Sequence, residues 1–196
     1  MTLNQNMVYT SFLYLFLLNG HLFLSLNDNQ TMLLYSVIVF FILVIYFKTT
    51  KKDTLTTSTF SIKKIVGWGV VGLLLSFMIQ WGVLFITHII FPRLNLNTDI
   101  PSQRTYLFLF VSILFNPIME ELFFRFSFVN WIGQKLPIWV GMVISALFFM
   151  LMHTSGNLMI YFGLGIIFSY IYKKSGSILT SILVHMVMNG IVLWLN

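Results

Sequence analysis

Cysteine does not occur in this sequence, which rules out disulfides, thiol nucleophiles, thiolate metal ligands and cysteine lipidation. Charge is nearly as scarce. Only 8% of positions are Asp, Glu, Lys or Arg, where a soluble domain carries about 25%, so the polar surface is too small to coat a water-soluble globule. The acidic residues are Asp28, Asp53, Asp99, Glu120 and Glu121. No internal repeat is visible, and low complexity is confined to the Thr/Ser-rich stretch at 54–61. No basic residue falls within Met1–Asn6 and no small-residue cleavage site ends the first apolar run before Asn27, so that run is expected to be a retained helix.

What fills the chain is hydrocarbon: 58% of the 196 residues are hydrophobic. Apolar runs lie near residues 7–26, 32–47, 65–91, 105–127, 138–153, 157–172 and 178–195. About 20 apolar residues cross a bilayer as a helix, so the expectation is an all-α, polytopic membrane bundle of about seven transmembrane helices. The formal charge of +6 is spread between the runs and forms no single patch, which points to topology and the lipid bilayer and away from nucleic acid. Lys48, Lys51, Lys52, Lys63, Lys64, Lys135, Lys173 and Lys174 fall in alternate connections, with Arg93 and Arg104 opposite them. The positive-inside rule then predicts a cytoplasmic N-terminus and an outer C-terminus. Residues 1–104 are expected to hold about three helices with their loops, and 105–196 the chemical core.

Ionisable groups inside membrane helices are costly and mark function by default. Here they are Glu120, Glu121 and Arg125 in the fourth run, His153 ending the fifth, and His185 with Asn189 in the seventh. His21 and His88 stand alone and read as helix-packing hydrogen bonders. Successive helical residues turn by about 100°, so Glu121 and Arg125 share a face and can pair. Glu120 turns away and remains available. His185 and Asn189 also share a face and suit polarisation of a carbonyl. Glu120 and His153 suit activation of water, and the combination describes hydrolysis. Straight helices, however, set Glu120 near the cytoplasmic third and His153 near the outer end, so their meeting requires a kink at Pro117, a deeper fifth helix or strong tilt.

Three elements carry a family likeness: Glu120-Glu121-x-x-x-Arg125, Phe149-x-x-x-His153 and His185-x-x-x-Asn189, with Asn116-Pro117 preceding the first. In this order they resemble the signatures of the CPBP family, which includes CAAX prenyl proteases, bacteriocin-processing proteins and the lysostaphin-resistance type. The likeness covers roughly residues 105–195. It implies an intramembrane endopeptidase acting on a membrane-associated peptide or protein. By that likeness, Glu120 and His153 hold the attacking water and His185 and Asn189 receive the oxyanion. Glu121, Arg125 and Phe149 support them. Glu120, His153 and His185 could instead supply three zinc ligands, whereas Asn189 is a poor zinc ligand and a good oxyanion donor, which leans the reading toward catalysis without metal.

The same family contains bacteriocin-immunity and membrane-adaptor proteins, which makes a non-catalytic adaptor the alternative. Other intramembrane protease types lack their residues: no His-Glu-x-x-His occurs, and all three aspartates lie between the apolar runs. Ser155 and Ser175 precede glycines without the pattern of a serine type. A transporter would be expected to show repeated halves.

Overall fold

A computed structural model describes residues 1–23, 26–50, 61–92, 105–153 and 156–195, with the side chains of 18–23 excepted. Lys51, Lys52, Asp53, Arg93, Asp99, Arg104, Ser155 and the His21 side chain lie outside the described residues. Seven helical rods and no strand occur among the described residues: α1 (Leu3–Phe23), α2 (Asp28–Thr50), α3 (Ile62–Ile90), α4 (Tyr106–Gly133), α5 (Ile138–Leu151), α6 (Leu158–Ser175) and α7 (Ile178–Leu195). They coincide with the seven apolar runs. α2, α3, α4 and α7 are long and apolar enough to cross a membrane; α5 is apolar but has 14 residues. α1 opens on Asn4, Gln5 and Asn6, and α6 ends in Lys173 and Lys174, which dilutes their hydropathy.

Local sequence explains where the rods begin and end. Thr2 and Gln5 satisfy each other's backbone N–H at the start of α1, as Asn27 and Gln30 do at α2, which is reciprocal capping of donors the helix cannot use. Thr105 caps α4 by accepting from Phe108 N–H, and Asn157 caps α6 by accepting from Met159 N–H. Gly176 ends α6 with φ at 70°, a left-handed turn that glycine adopts without a Cβ clash.

α4 is the central rod, with α1 and α2 against one flank and α5 and α7 against others, while α3 packs on α6 and α7. Aromatic rings join α4 to the first hairpin: Tyr14 stacks on Phe123 at 4.7 Å, and Tyr46 meets Phe126 edge-on at 4.6 Å. Lipid offers helices little hydrophobic reason to associate, so close packing by small residues matters more. At the α5–α6 contact, a Cβ on Gly165 would fall 2.9 Å from the Ala146 Cα, so only glycine permits this approach. α3 turns Val70, Leu74, Met78, Trp81 and Phe85 outward, a continuous apolar stripe suited to acyl chains. The chain is accordingly a multi-pass integral membrane protein.

α4 extends beyond the apolar run that ends near residue 127, because Asn130 finds partners. Its amide donates to Phe126 O and to the Tyr172 hydroxyl, 2.8 Å away, and its oxygen accepts from Lys173. Two stretches of α4, Val111–Phe115 and Glu121–Val129, are wound as π-helix. In the second, the Ser127 hydroxyl bonds to Leu122 O, five residues back.

Candidate active site

The α4–α5 hairpin sets the level of the site. Ser145 Oγ donates to Phe124 O at 3.0 Å, and Gly141 lies against Val129 O. This antiparallel register puts Glu120 beside Phe149, one turn from His153. The expectation that straight rods hold Glu120 and His153 apart is therefore corrected. Both lie at similar distances along the chain from the tight turn at 134–137, roughly 20 Å along their helices at 1.5 Å per residue, and the hairpin folds them to one level.

Glu120, His153, His185 and Asn189 line one cavity of about 270 Å³, together with Ser112, Asn116 and Tyr161. His153 Nδ1 lies 2.7 Å from Phe149 O. A carbonyl only accepts, so the bond assigns the hydrogen to Nδ1 and leaves Nε2 as the acceptor of the neutral ring. The ring is held between Phe149, at a centroid separation of 4.5 Å, and Tyr161, stacked at 3.9 Å. Spacing pointed to Phe149; Tyr161 carried no sequence signal, because it comes from another helix and is one of eight tyrosines.

His185 is 4% exposed and links the two glutamates. Its Nδ1 is 3.0 Å from Glu121 Oε1, and its Nε2 is 3.7 Å from Glu120 Oε2. The first is a hydrogen bond; the second is a charge contact too long to be one. The division of the glutamates into a structural and a separate chemical group is thus incomplete, because Glu121 both faces Arg125 and orients His185.

Glu121 and Arg125 are wholly buried, with Arg125 Nε 3.3 Å from Glu121 Oε2. The N–H does not point along that line, and none of the three guanidinium nitrogens makes a hydrogen bond to a described protein atom. The contact neutralises charge without a directed bond. Phe149 adds its ring face 4.2 Å from the guanidinium carbon, a favourable cation–π placement.

Asn189 Nδ2 donates to Ser112 O at 2.8 Å. The acceptor is available for a local reason. Asn116 N–H bonds back to Val111 O, and Pro117 has no N–H, so neither residue closes the helix onto Ser112. Asn116 and Pro117 thereby prepare a carbonyl that Asn189 occupies, leaving the amide a second N–H.

His88 is exposed near the end of α3, away from this cavity. Ser175 Oγ is buried and bonded to backbone around the α6–α7 turn, without a histidine beside it. Among the described residues no three His, Asp or Glu side chains converge as metal ligands do. Glu120, His153 and His185 share the cavity without forming such a set.

An acid, two imidazoles and an amide thus face one small cavity among the helices of the bundle. Residues 102–191 match the family described as type II CAAX prenyl endopeptidase Rce1-like. The membrane-embedded CAAX protease MroQ of Staphylococcus aureus (strain USA300) is 27% identical over 144 residues, covering 66% of this chain and 58% of that protein. No solved structure matches the chain. Residues 102–191, which span α4 to most of α7, are thus similar to a CAAX-endopeptidase domain, and the chain spans little more than half the length of the relative it matches.

Proposed function

We propose that this protein is an intramembrane endopeptidase that hydrolyses a membrane-associated peptide or protein, with Lys-rich helix ends toward the cytoplasm. The observation that carries the reading is the shared cavity: Glu120, His153, His185 and Asn189 arrive from three helices and face one volume of about 270 Å³. That space holds several waters or a peptide bond with its attacking water.

In the reaction, a water held by the Glu120 carboxylate and His153 Nε2 adds to the scissile carbonyl carbon while Glu120 takes its proton. The carbonyl π electrons move to oxygen, and the oxyanion accepts hydrogen bonds from His185 Nε2–H and the second N–H of Asn189. For that, His185 carries hydrogen on both nitrogens, with Glu121 accepting from Nδ1 and Glu120 close to Nε2. Collapse of the oxyanion breaks the C–N bond, and the proton on Glu120 passes to the departing amine. Arg125 offsets the Glu121 charge, so the site holds two carboxylates without an uncompensated excess.

The test is cleavage of membrane-anchored peptides by the full chain in proteoliposomes. Glu120→Gln and His153→Ala are each expected to lower kcat at least a hundredfold while the unfolding temperature stays near wild type. Cleavage at the wild-type rate by either variant would remove that residue from the mechanism. Activity in cells that survives Glu120→Gln would favour the adaptor reading.

A further inference from the structure

Beside the reactive cavity lies a second one, of about 130 Å³, between α3, α6 and α7. Tyr161, Leu164 and Asn189 line both, so the two are separated by a wall one side chain thick. Ile160, Leu164, Met188 and Val192 make the second cavity mainly apolar. Its volume suits a single aliphatic side chain.

Besides Asn189, two further amides face it, and they differ. Asn157 is committed to the fold: its oxygen caps α6, and its nitrogen donates to Thr87 Oγ1 at 3.1 Å. The Gln80 side chain makes no hydrogen bond to a described residue, yet it sits in mid-α3 and lines the cavity. An amide carries two donors and two acceptor positions, and leaving these unmet in a lipid-embedded helix is costly. A glutamine at this depth is therefore expected to meet a polar partner. It also lies outside the region matched by the family, residues 102–191.

We infer that the second cavity is a substrate subsite: its apolar walls take one aliphatic side chain beside the scissile bond, and the Gln80 amide pairs with the backbone of the same extended peptide. Such a peptide has the missing complement, since each extended residue presents an N–H and a C=O in the plane that a side-chain amide can bridge. Gln80 is thus a positioning and specificity residue supplied by a helix outside the matched domain. The inference rests on the endopeptidase reading and assigns where its substrate lies.

The experiment separates binding from hydrolysis. Fluorescein-labelled alanine–serine peptides with one central guest residue, Ala, Leu or Trp, are titrated against the full chain carrying Glu120→Gln in lipid nanodiscs. The Leu peptide is expected to bind tightest. Gln80→Leu, added to that chain, should weaken every peptide about tenfold, the loss of a net hydrogen bond or two. Val192→Trp should instead erase the preference for Leu over Ala. With active enzyme, Gln80→Leu should raise KM with kcat unchanged, and Gln80→Asn should recover part of the loss, which a purely structural role would not produce.

Equal binding by all variants, or no binding of any peptide, would overturn the inference. Cleavage by wild type with KM unmoved by Gln80→Leu would overturn it while sparing the endopeptidase reading. Gln80-dependent binding with no cleavage of any peptide would support the subsite and overturn the hydrolytic assignment.

Discussion

Removing the charge of Glu121 tests how the centre of the bundle is held. Glu121 and Arg125 are both fully buried, 3.3 Å apart. With an effective dielectric constant of about 20, their attraction is about 5 kcal/mol. Against this stands a desolvation penalty of several kcal/mol for each ion, so the pair taken together contributes little net stability. Breaking it is another matter. In Glu121→Gln the guanidinium keeps the more distant Glu120 charge and the aromatic rings around it, of which Phe149 at 4.2 Å is the nearest, and cation–π contact returns about 2 kcal/mol. The expected loss is about 3 kcal/mol, within the range for an orphaned buried charge. Arg125→Met should cost less, because Glu121 retains His185 Nδ1 at 3.0 Å. The double variant, Glu121→Gln with Arg125→Met, should be more stable than Glu121→Gln alone, with a coupling energy of about 2 kcal/mol or more. Under the endopeptidase reading, cleavage by the double variant should stay low, because His185 has lost its carboxylate acceptor. The assay is equilibrium unfolding of the four full-length proteins in mixed lipid–detergent micelles, followed by tryptophan fluorescence. Additive losses, with the double variant worse than either single one, would refute the charge-compensation argument.

Three further outcomes follow from particular contacts. Tyr161→Ala removes the ring stacked at 3.9 Å on His153; a stacking contribution of about 1 kcal/mol predicts a fall of roughly fivefold in kcat, with Tyr161→Phe close to wild type in the same cleavage assay. Gly165→Leu forces α5 and α6 apart at a contact where even a Cβ would lie 2.9 Å from Ala146 Cα, so unfolding measurements should show a loss of about 1–3 kcal/mol or more, with activity falling as the hairpin carrying His153 shifts. Asn189→Leu leaves Ser112 O without its 2.8 Å donor and deletes a proposed oxyanion donor, so kcat is expected to drop about a hundredfold or more alongside a stability loss of about 1–2 kcal/mol; a variant that loses stability but keeps kcat would restrict Asn189 to helix packing.

Seven helical segments among the described residues, and the membrane environment, were legible in the order of residues alone. Each apolar run coincides with a rod because hydropathy, capping residues and the Gly176 turn act within a few residues of where they occur. The shortlist of polar residues was legible for the same reason: Glu120, His153, His185 and Asn189 are conspicuous against hydrocarbon, where an ionisable group is expensive. Their convergence belonged to the tertiary structure. Rise-per-residue reasoning with a presumed bilayer depth separated Glu120 from His153, and the hairpin register, set by Ser145 on Phe124 O and Gly141 on Val129 O, brought them together. The bridge from Glu121 through His185 to Glu120, the stacking of Tyr161 on His153 and the placement of Gln80 on the neighbouring cavity each join helices distant along the chain. A periodic pattern reports which way a side chain faces on its own rod; which partner stands opposite depends on how the rods are packed, and that is settled only when small residues such as Gly165 let particular helices touch.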